Sequence, residues 1–386
     1  MIGVEQFQDR ARSWIAEHRG QAPTDYGAIC PPHLVDRAVE WQRRIDGAGY
    51  AGIHWPEEHG GRGLTIQHTA AWQFECASAG VPWAFNMVGH VLAGGAILLF
   101  GTPEQRSAHL RPTLGGDRLW CQLFSEPGAG SDLGSLTTRA ERDGDNYVVN
   151  GQKVWCSGGR YSDWGILMAR TANAESEGAE SEGAAGKHDS ISFFLFPMDL
   201  PGVEVRPLRQ MTGEAEFDEV FLTDVALPAE HLLGPLHGGW GVGMAVLTNE
   251  RGHIGTAVIG LERRLEQLAA MADDDGAGDD HNHLGPCERQ QLAGLLARGQ
   301  AYRAMALRQG PAASTAASLM KLGITEMMFD VAMLRGSLGG AVSTVDGPGA
   351  SGMLAAPGGR IAGGTSQIQR NIIGERLLGL PREPRP

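Results

Sequence analysis

The chain has 386 residues and a formal net charge of −13, with 42% apolar and 20% charged side chains. That length supplies ample core for one large domain or two or three smaller ones, and the acidic balance argues against general nucleic-acid binding, which needs a basic face. Cys30, Cys76, Cys121, Cys156 and Cys287 are odd in number and widely spaced, with no C-x-x-C pair, so they read as free thiols of a reducing cytoplasm.

The opening MIGVEQFQDRARSWIAEHRG carries acids and no apolar core, so no secretory signal is expected. Residues to about 119 read as helical. HLVDRAVEWQRRIDGAGY has apolar residues at helical spacing and ends at glycine. WPEEHGGRG reads as a loop. VPWAFNMVGHVLAGGAILLFG is the longest apolar run, but Asn86, His90 and several glycines interrupt it. A buried helix is therefore expected, not a membrane span. In TPEQRSAHLRPTL the start signal is explicit: Thr102 as cap, Pro103 in the first turn and Gln105 completing a capping box.

From about residue 120 the texture changes to short runs rich in β-branched and aromatic residues: LWCQLF, TTRAERDGDNYVVNGQKVWCSG, WGILMART, ISFFLFPM, VEVRPL and DEVFLTDVAL. Turn signals such as DGD, NG and DLPG separate them, which predicts an antiparallel β domain. Within it AESEGAESEGAAG repeats ESEGA twice in succession and reads as a mobile hairpin tip. After GPLHGGWGV the helical texture returns. GMAVLTNERGHIGTAVIGLERRLEQLAAMA is followed by the acidic loop DDDGAGDDHNHLGP, then by CERQQLAGLLARGQAYRAMALRQ and AASTAASLMKLGITEMMFDVAMLRGSL. His281 and His283 in the acidic loop read as solvated, and no metal site is expected. The predicted division is a helical domain over 1–119, a β domain over 120–233 and a helical bundle over 234–386.

Three stretches carry polar chemistry. FSEPGAGSDLG, Phe124 to Gly134, is not a dinucleotide fingerprint: Gly134 lies four positions after Gly130, and β-type sequence follows. It reads as a turn-rich loop whose N–H groups and Ser125 and Ser131 hydroxyls face a polar ligand, or equally as a tight turn alone. NGQKVWCSGG sets Trp155 and Ser157 at a strand end, where a lone Trp would by default be core. IAGGTSQIQRN places Thr365, Ser366 and Gln367 behind a double glycine at a helix start, suiting either an ordinary cap or an anion or cofactor contact.

Together these stretches, with AGIHWPEEHGGRGLT and FPMDLPGVEVRPLRQMTGEAEFDEVFLTDVALP, resemble the acyl-CoA dehydrogenase family of flavoproteins over almost the whole chain. The resemblance implies an α+β fold: a helical N-terminal domain, a middle antiparallel β domain and a C-terminal four-helix bundle. It also implies FAD and a homotetramer or homodimer. By position, Phe124 and Ser125 would lie along the flavin, Ser131 at the phosphates or the CoA thioester arm, Trp155 beside the dimethylbenzene ring and Ser157 near N5. Thr365 and Gln367 would reach FAD, Gln367 from an adjoining subunit.

The implied reaction removes the α proton of an acyl-CoA thioester while flavin takes the β hydride, giving the trans-2-enoyl-CoA, with electron-transfer flavoprotein as acceptor. The thioester oxygen needs hydrogen-bond donors, here the Gly363 N–H. The base must be a glutamate in a site dry enough to raise its pKa. Many members carry that glutamate where this chain has Gly363. The isovaleryl and long-chain types carry it instead on a helix of the C-terminal bundle, and LTNERGHIG offers Glu250, with Arg251 as its companion at the substrate. A Glu-Arg pair is ordinarily a solvated surface pair, but the apolar and small neighbours in GMAVLTNERGHIGTAVIG predict a largely buried helix.

The family's R-x-x-F-G stretch, which reaches a neighbouring subunit's FAD, is missing; DDDGAGDDHNHLGPCERQ stands there, with Arg289 as a substitute. This motivates an alternative, a non-catalytic or half-site subunit of a mixed tetramer. A flavin-dependent oxidase or monooxygenase on the same fold is the other. Short, branched, long and polycyclic acyl groups all suit this reading, carried on CoA or on acyl carrier protein.

Overall fold

A computed structural model describes residues 2–23, 29–171, 187–252, 257–273, 284–306 and 313–382. The chain divides into two compact units, Met1–Asn249 and Glu250–Pro386.

The first unit begins with helices α1 (Val4–His18), α2 (Val35–Gly47) and α3 (Ile66–Ala79). α1 buries Phe7, Ala11 and Ile15, and α2 buries Ala38, Trp41 and Ile45, each set on one helical stripe. The apolar run from Val81 is less regular than its composition predicts. A π-helical turn over Val88–Ala93 feeds α4 (Gly94–Phe100), and Gly94 lies where a Cβ would stand 2.4 Å from the Trp55 ring. No helix among the described residues is long and apolar enough to cross a membrane. α5 (Pro103–Gly115) starts as its sequence dictates: Gln105 N–H donates to the Thr102 hydroxyl at 3.2 Å, and Thr102 N–H donates to Gln105 Oε1 at 3.1 Å.

A seven-stranded sheet follows: β1 (Trp120–Leu123), β2 (Arg139–Asp143), β3 (Asn146–Ser157), β4 (Trp164–Arg170), β5 (Ile191–Pro197), β6 (Val203–Leu208) and β7 (Phe217–Pro228). Its path runs β1-β4-β2-β3-β7-β6, with β5 also on β4. Pairing is antiparallel except where β4 meets β1 and β2 in parallel.

The period-2 alternation divides β4 and β5 between two cores. Ile166, Met168, Phe193 and Leu195 join the helices in one core, whereas Leu167, Ala169, Phe194 and Phe196 fill a second on the other face. All seven residues of β5 are buried. Asn150-Gly151, a turn signal in sequence, is instead a bulge inside β3, where the register with β7 shifts between Val149 and Gly151. A Cβ on Gly151 would stand 2.4 Å from Thr138 Oγ1. Asn150 and Asp224 also exchange hydrogen bonds of 3.0 and 2.9 Å across the strands. Close approach, not reversal, is what that glycine serves.

β4 and β5 form an antiparallel pair from Trp164↔Pro197 to Arg170↔Ile191, continued by the Thr171 N–H to the Ser190 carbonyl at 2.9 Å. The ESEGA repeat joins them, and residues 172–186 lie outside the described residues.

α6 (Gly239–Gly252) spans the division between the units. The second unit holds α7 (Ala257–Asp273), α8 (Pro286–Ala306), α9 (Ala313–Leu338), α10 (Pro348–Gly359) and α11 (Ser366–Ile372). Leu261, Leu265 and Leu268 of α7, Leu292 and Leu295 of α8, and Met320, Ile324, Met327, Val331 and Leu334 of α9 form its core. Their three- and four-residue spacings give each helix one buried stripe. α10 and α11 pack on α9.

Candidate functional site

The loop leaving β1 is locked from beneath by a buried ion pair. Glu126 accepts from Thr137 N–H at 2.6 Å, Thr137 Oγ1 at 2.7 Å, Thr138 N–H at 2.9 Å and Lys153 Nζ at 2.8 Å. Lys153 Nζ also donates to the Phe124 carbonyl at 3.0 Å. The two side chains are 4% and 0% exposed, so neither charge is solvated and each depends on the other. Burial acts to raise the Glu126 carboxyl, but Lys153 and the hydrogen bonds outweigh it and hold the group down at about 2. Burial lowers the Lys153 ammonium, with Glu126 opposing. Val154 N–H donates to the Ser125 carbonyl at 2.9 Å, binding the loop to β3. Phe124 is buried edge-on against Phe193, centroids 5.7 Å apart.

One residue after that hydrogen bond the strand breaks pattern. The register of β3 with β7 shifts between Lys153 and Cys156, and Trp155 takes a positive φ of 61°. A non-glycine residue there is strained by about 1–2 kcal/mol. The bulge turns the indole outward: Trp155 is 56% exposed and, among the described residues, meets one aromatic ring, Phe217, edge-on at 5.8 Å. Ser157 follows, opposite Phe217.

The turn after Ser157 is held by a second ion pair. Asp218, fully buried, accepts from Arg160 N–H at 3.0 Å and Arg160 Nε at 2.9 Å. Burial raises the Asp218 carboxyl, and Arg160 only partly offsets it. Ser125, Trp155 and Ser157 are thus brought together on one bulged strand and its neighbouring loop, with the hydroxyls of Ser125 and Ser157 and the indole N–H unengaged by any hydrogen bond among the described residues. A bared aromatic plane beside unengaged hydroxyls suits a flat, polar-edged aromatic cofactor such as a flavin.

Ser131 is exposed at the far end of the same loop and shares no hydrogen bond with those three. Its neighbour Asp132 pairs with Lys187. Buried thiols offer no nucleophile here: burial pushes Cys121 up to about 12 and Cys156 well above the ordinary range.

In the second unit, Gly363 and Gly364 have φ of 63° and 91°, a left-handed pair that only glycine enters freely. Thr365 caps α11, its hydroxyl accepting from Ile368 N–H at 3.2 Å. Gln367 is exposed. Gln369, fully buried, donates Nε2 to the Gly363 and Gly364 carbonyls at 3.3 and 3.4 Å. Ser366 Oγ donates to Glu326 Oε1 at 2.6 Å. Arg289 is committed locally, its Nε donating to the Leu284 carbonyl at 3.0 Å. Glu250 and Arg251 fall in the last turn of α6, and their side chains lie outside the described residues, as do His281 and His283.

Sequence reasoning missed Glu126, Lys153, Asp218, Arg160 and Glu326. The one available signal was charge set within apolar strand texture, Lys153 in GQKVWC and Asp218 in FDEVFL.

Comparison with known proteins accords with this geometry. Residues 4–117, 121–225 and 237–378 match the N-terminal, middle and C-terminal domains described for acyl-CoA dehydrogenases. The acyl-CoA dehydrogenase IpdE1 of Mycobacterium tuberculosis is 37% identical over 407 aligned residues, covering 99% of each chain. Among solved structures, the Tcur3481-Tcur3483 steroid ACAD superposes with a TM-score of 0.81 at 26% identity, covering 98% of both chains. The ChsE4-ChsE5 complex from Mycobacterium tuberculosis gives 0.79 at 27%, again covering 98% of both.

Proposed function

Since the chain belongs to the acyl-CoA dehydrogenase family and is thus an FAD-dependent oxidoreductase, we propose that it performs the α,β-dehydrogenation of an acyl-CoA thioester with Glu250 as base. The observation that carries this reading is the ordered match of all three family segments across residues 4–378. Around these segments we place domain bounds at 1–119, 120–233 and 234–386, as a proposal. When bound, FAD supplies the two-electron acceptor for the β hydride.

The protein's own residues do the rest. Trp155 presents its plane to the flavin, and the Ser125 and Ser157 hydroxyls hydrogen-bond the ring edge. Phe124 fixes the backbone there, and Ser131, Thr365 and Gln367 contact the more distant parts of the cofactor or the CoA arm. Glu250 takes the α proton, Arg251 orients it, and the Gly363 N–H donates to the thioester oxygen as negative charge gathers there. Electrons then pass to an electron-transfer flavoprotein.

For the acyl group, the likeness to a steroid ACAD favours a polycyclic or similarly bulky acyl chain over a short one. A panel of butyryl-, isovaleryl-, palmitoyl- and steroid-side-chain-CoA, each added anaerobically, tests this through bleaching of the flavin band at about 450 nm, a wavelength common to oxidised flavins. The steroid ester is expected to bleach fastest. Glu250→Gln should slow reduction by about 10²–10⁴-fold; a rate within threefold of the parent removes Glu250 from the role.

A second reading has support of its own. The likeness to the ChsE4-ChsE5 complex, together with the acidic stretch where R-x-x-F-G is expected, favours a mixed tetramer with a paralogous chain. Protein purified alone would then be colourless and unable to take up added FAD.

A further inference from the structure

The double glycine at Gly363-Gly364 is the least self-restrained part of the proposed site. Each residue has a positive φ and no Cβ, and fixing one residue's backbone costs about 1–2 kcal/mol. An N–H that must meet a thioester oxygen cannot be left to glycine's own preferences. Gln369 Nε2 holds the two glycine carbonyls from α11, and the preceding peptide, which carries the Gly363 N–H, needs a hold of its own.

α9 supplies that hold. Its Glu326 carboxylate accepts from Ser366 Oγ at 2.6 Å and pairs with Arg360 Nη2 at 3.1 Å and Arg370 Nη2 at 3.5 Å. Arg360 stands three residues before Gly363 and Ser366 three after, so one carboxylate ties both flanks of the glycine pair. The Ser366 N–H also donates to the Arg360 carbonyl at 3.0 Å, closing the segment on itself. Two more residues of α9 act on the approach: Lys321 Nζ donates to the Gly359 carbonyl at 3.1 Å, and the Phe329 ring lies 4.7 Å from the Arg360 guanidinium. α9 runs 26 residues and carries a full buried stripe, so it is a rigid base for these grips.

We propose that Glu326 is a positioning residue for the reaction, setting the direction of the Gly363 N–H by clamping both flanks of the glycine pair to α9. This rests on the reading of Gly363 as donor to the thioester oxygen. Glu326 touches neither substrate nor cofactor in this role. Its effect passes through the peptide it orients, where a displacement of about 1 Å is worth up to about 10²-fold in rate.

The test uses the FAD-loaded full chain as parent, Glu326→Ala and Glu326→Gln. The glutamine keeps an acceptor for Ser366 and drops the charge facing Arg360 and Arg370. The probes are the enoyl-CoA product of the fastest panel substrate, isotope-labelled at the carbonyl, and its thioether counterpart, in which a methylene replaces the carbonyl. Infrared difference spectra read the carbonyl stretch of the bound thioester, and stopped-flow absorbance reads flavin reduction.

In the parent the stretch should fall on binding. In Glu326→Ala much of that fall should be lost and reduction should slow about 10- to 100-fold, with thioether affinity unchanged. Glu326→Gln should lie between, and it decides alone if the alanine variant does not fold. A parent-like carbonyl shift in the variants overturns the role of Glu326 while leaving Gly363 as donor. No shift in the parent removes the Gly363 reading and this one with it. Equal loss of thioether and thioester affinity would make Glu326 a general anchor of the C-terminal segment, and would also overturn the proposal.

Discussion

Replacing Lys153 with methionine tests how the loop after β1 is held. The substitution keeps most of the side-chain volume but strips Glu126 of its paired cation, leaving a carboxylate 4% exposed with three donors from Thr137 and Thr138. Breaking a buried pair in this way costs about 3–5 kcal/mol. The carboxyl itself gives a similar figure: about 2 in the fold against an ordinary 4.5 corresponds to about 3 kcal/mol at 1.36 kcal/mol per decade of proton affinity.

The net worth of the pair is smaller than the cost of breaking it, because burial works against both charges. For a unit of 249 residues the loss should lower the melting temperature by roughly 6–20 °C, and FAD affinity should fall as the Phe124 carbonyl loses its donor. The pH dependence gives an independent sign. The folded Glu126 carboxyl is depressed, so in the parent its contribution is complete above pH 4.5 and is lost as pH falls toward about 2. In Lys153→Met, burial is opposed by the Thr137 and Thr138 hydrogen bonds without the lysine, so the carboxyl should rise and this part of the acid limb should shrink. A variant melting within 2 °C of the parent, with the same acid limb, would refute the reasoning.

Two further substitutions separate conformation from contact. Trp155→Gly should leave stability unchanged or raise it by about 1 kcal/mol, since the strained φ of 61° suits glycine, while the FAD dissociation constant rises about tenfold; melting curves and flavin titration read the two effects apart. Gly364→Ala should cost about 1–2 kcal/mol, because φ is 91° and the new Cβ would stand 2.7 Å from Gln369 Nε2; thermal melting and the rate of flavin reduction should both register it.

What the sequence discloses here is whatever is local. The α5 cap needs only Thr102, Pro103 and Gln105, all within four residues, and it forms as written. The strands were visible because β4 and β5 are almost wholly apolar. The failures share one cause, long sequence separation. Glu126 finds Lys153 27 residues on, Asp218 finds Arg160 58 residues back, and Glu326 finds Ser366 40 residues on. Nothing beside any of them declares a partner. Asn150-Gly151 misled for a related reason: the dipeptide favours a turn locally, while the contact that demands glycine comes from Thr138, the residue before β2. Trp155 is conspicuous by type, but its outward aim depends on a register shift against β7 that no window of β3 contains.

The β4–β5 pairing has a consequence for how this protein can change. The ladder closes at Arg170↔Ile191 and Thr171–Ser190, so the ESEGA repeat joins two ends whose positions the sheet already fixes. Closure entropy grows only logarithmically with length, and one more five-residue copy would cost about 0.2 kcal/mol. Gain or loss of a copy of the repeat should therefore cost the fold little. An affinity tag or fluorescent label inserted there would inherit the same tolerance.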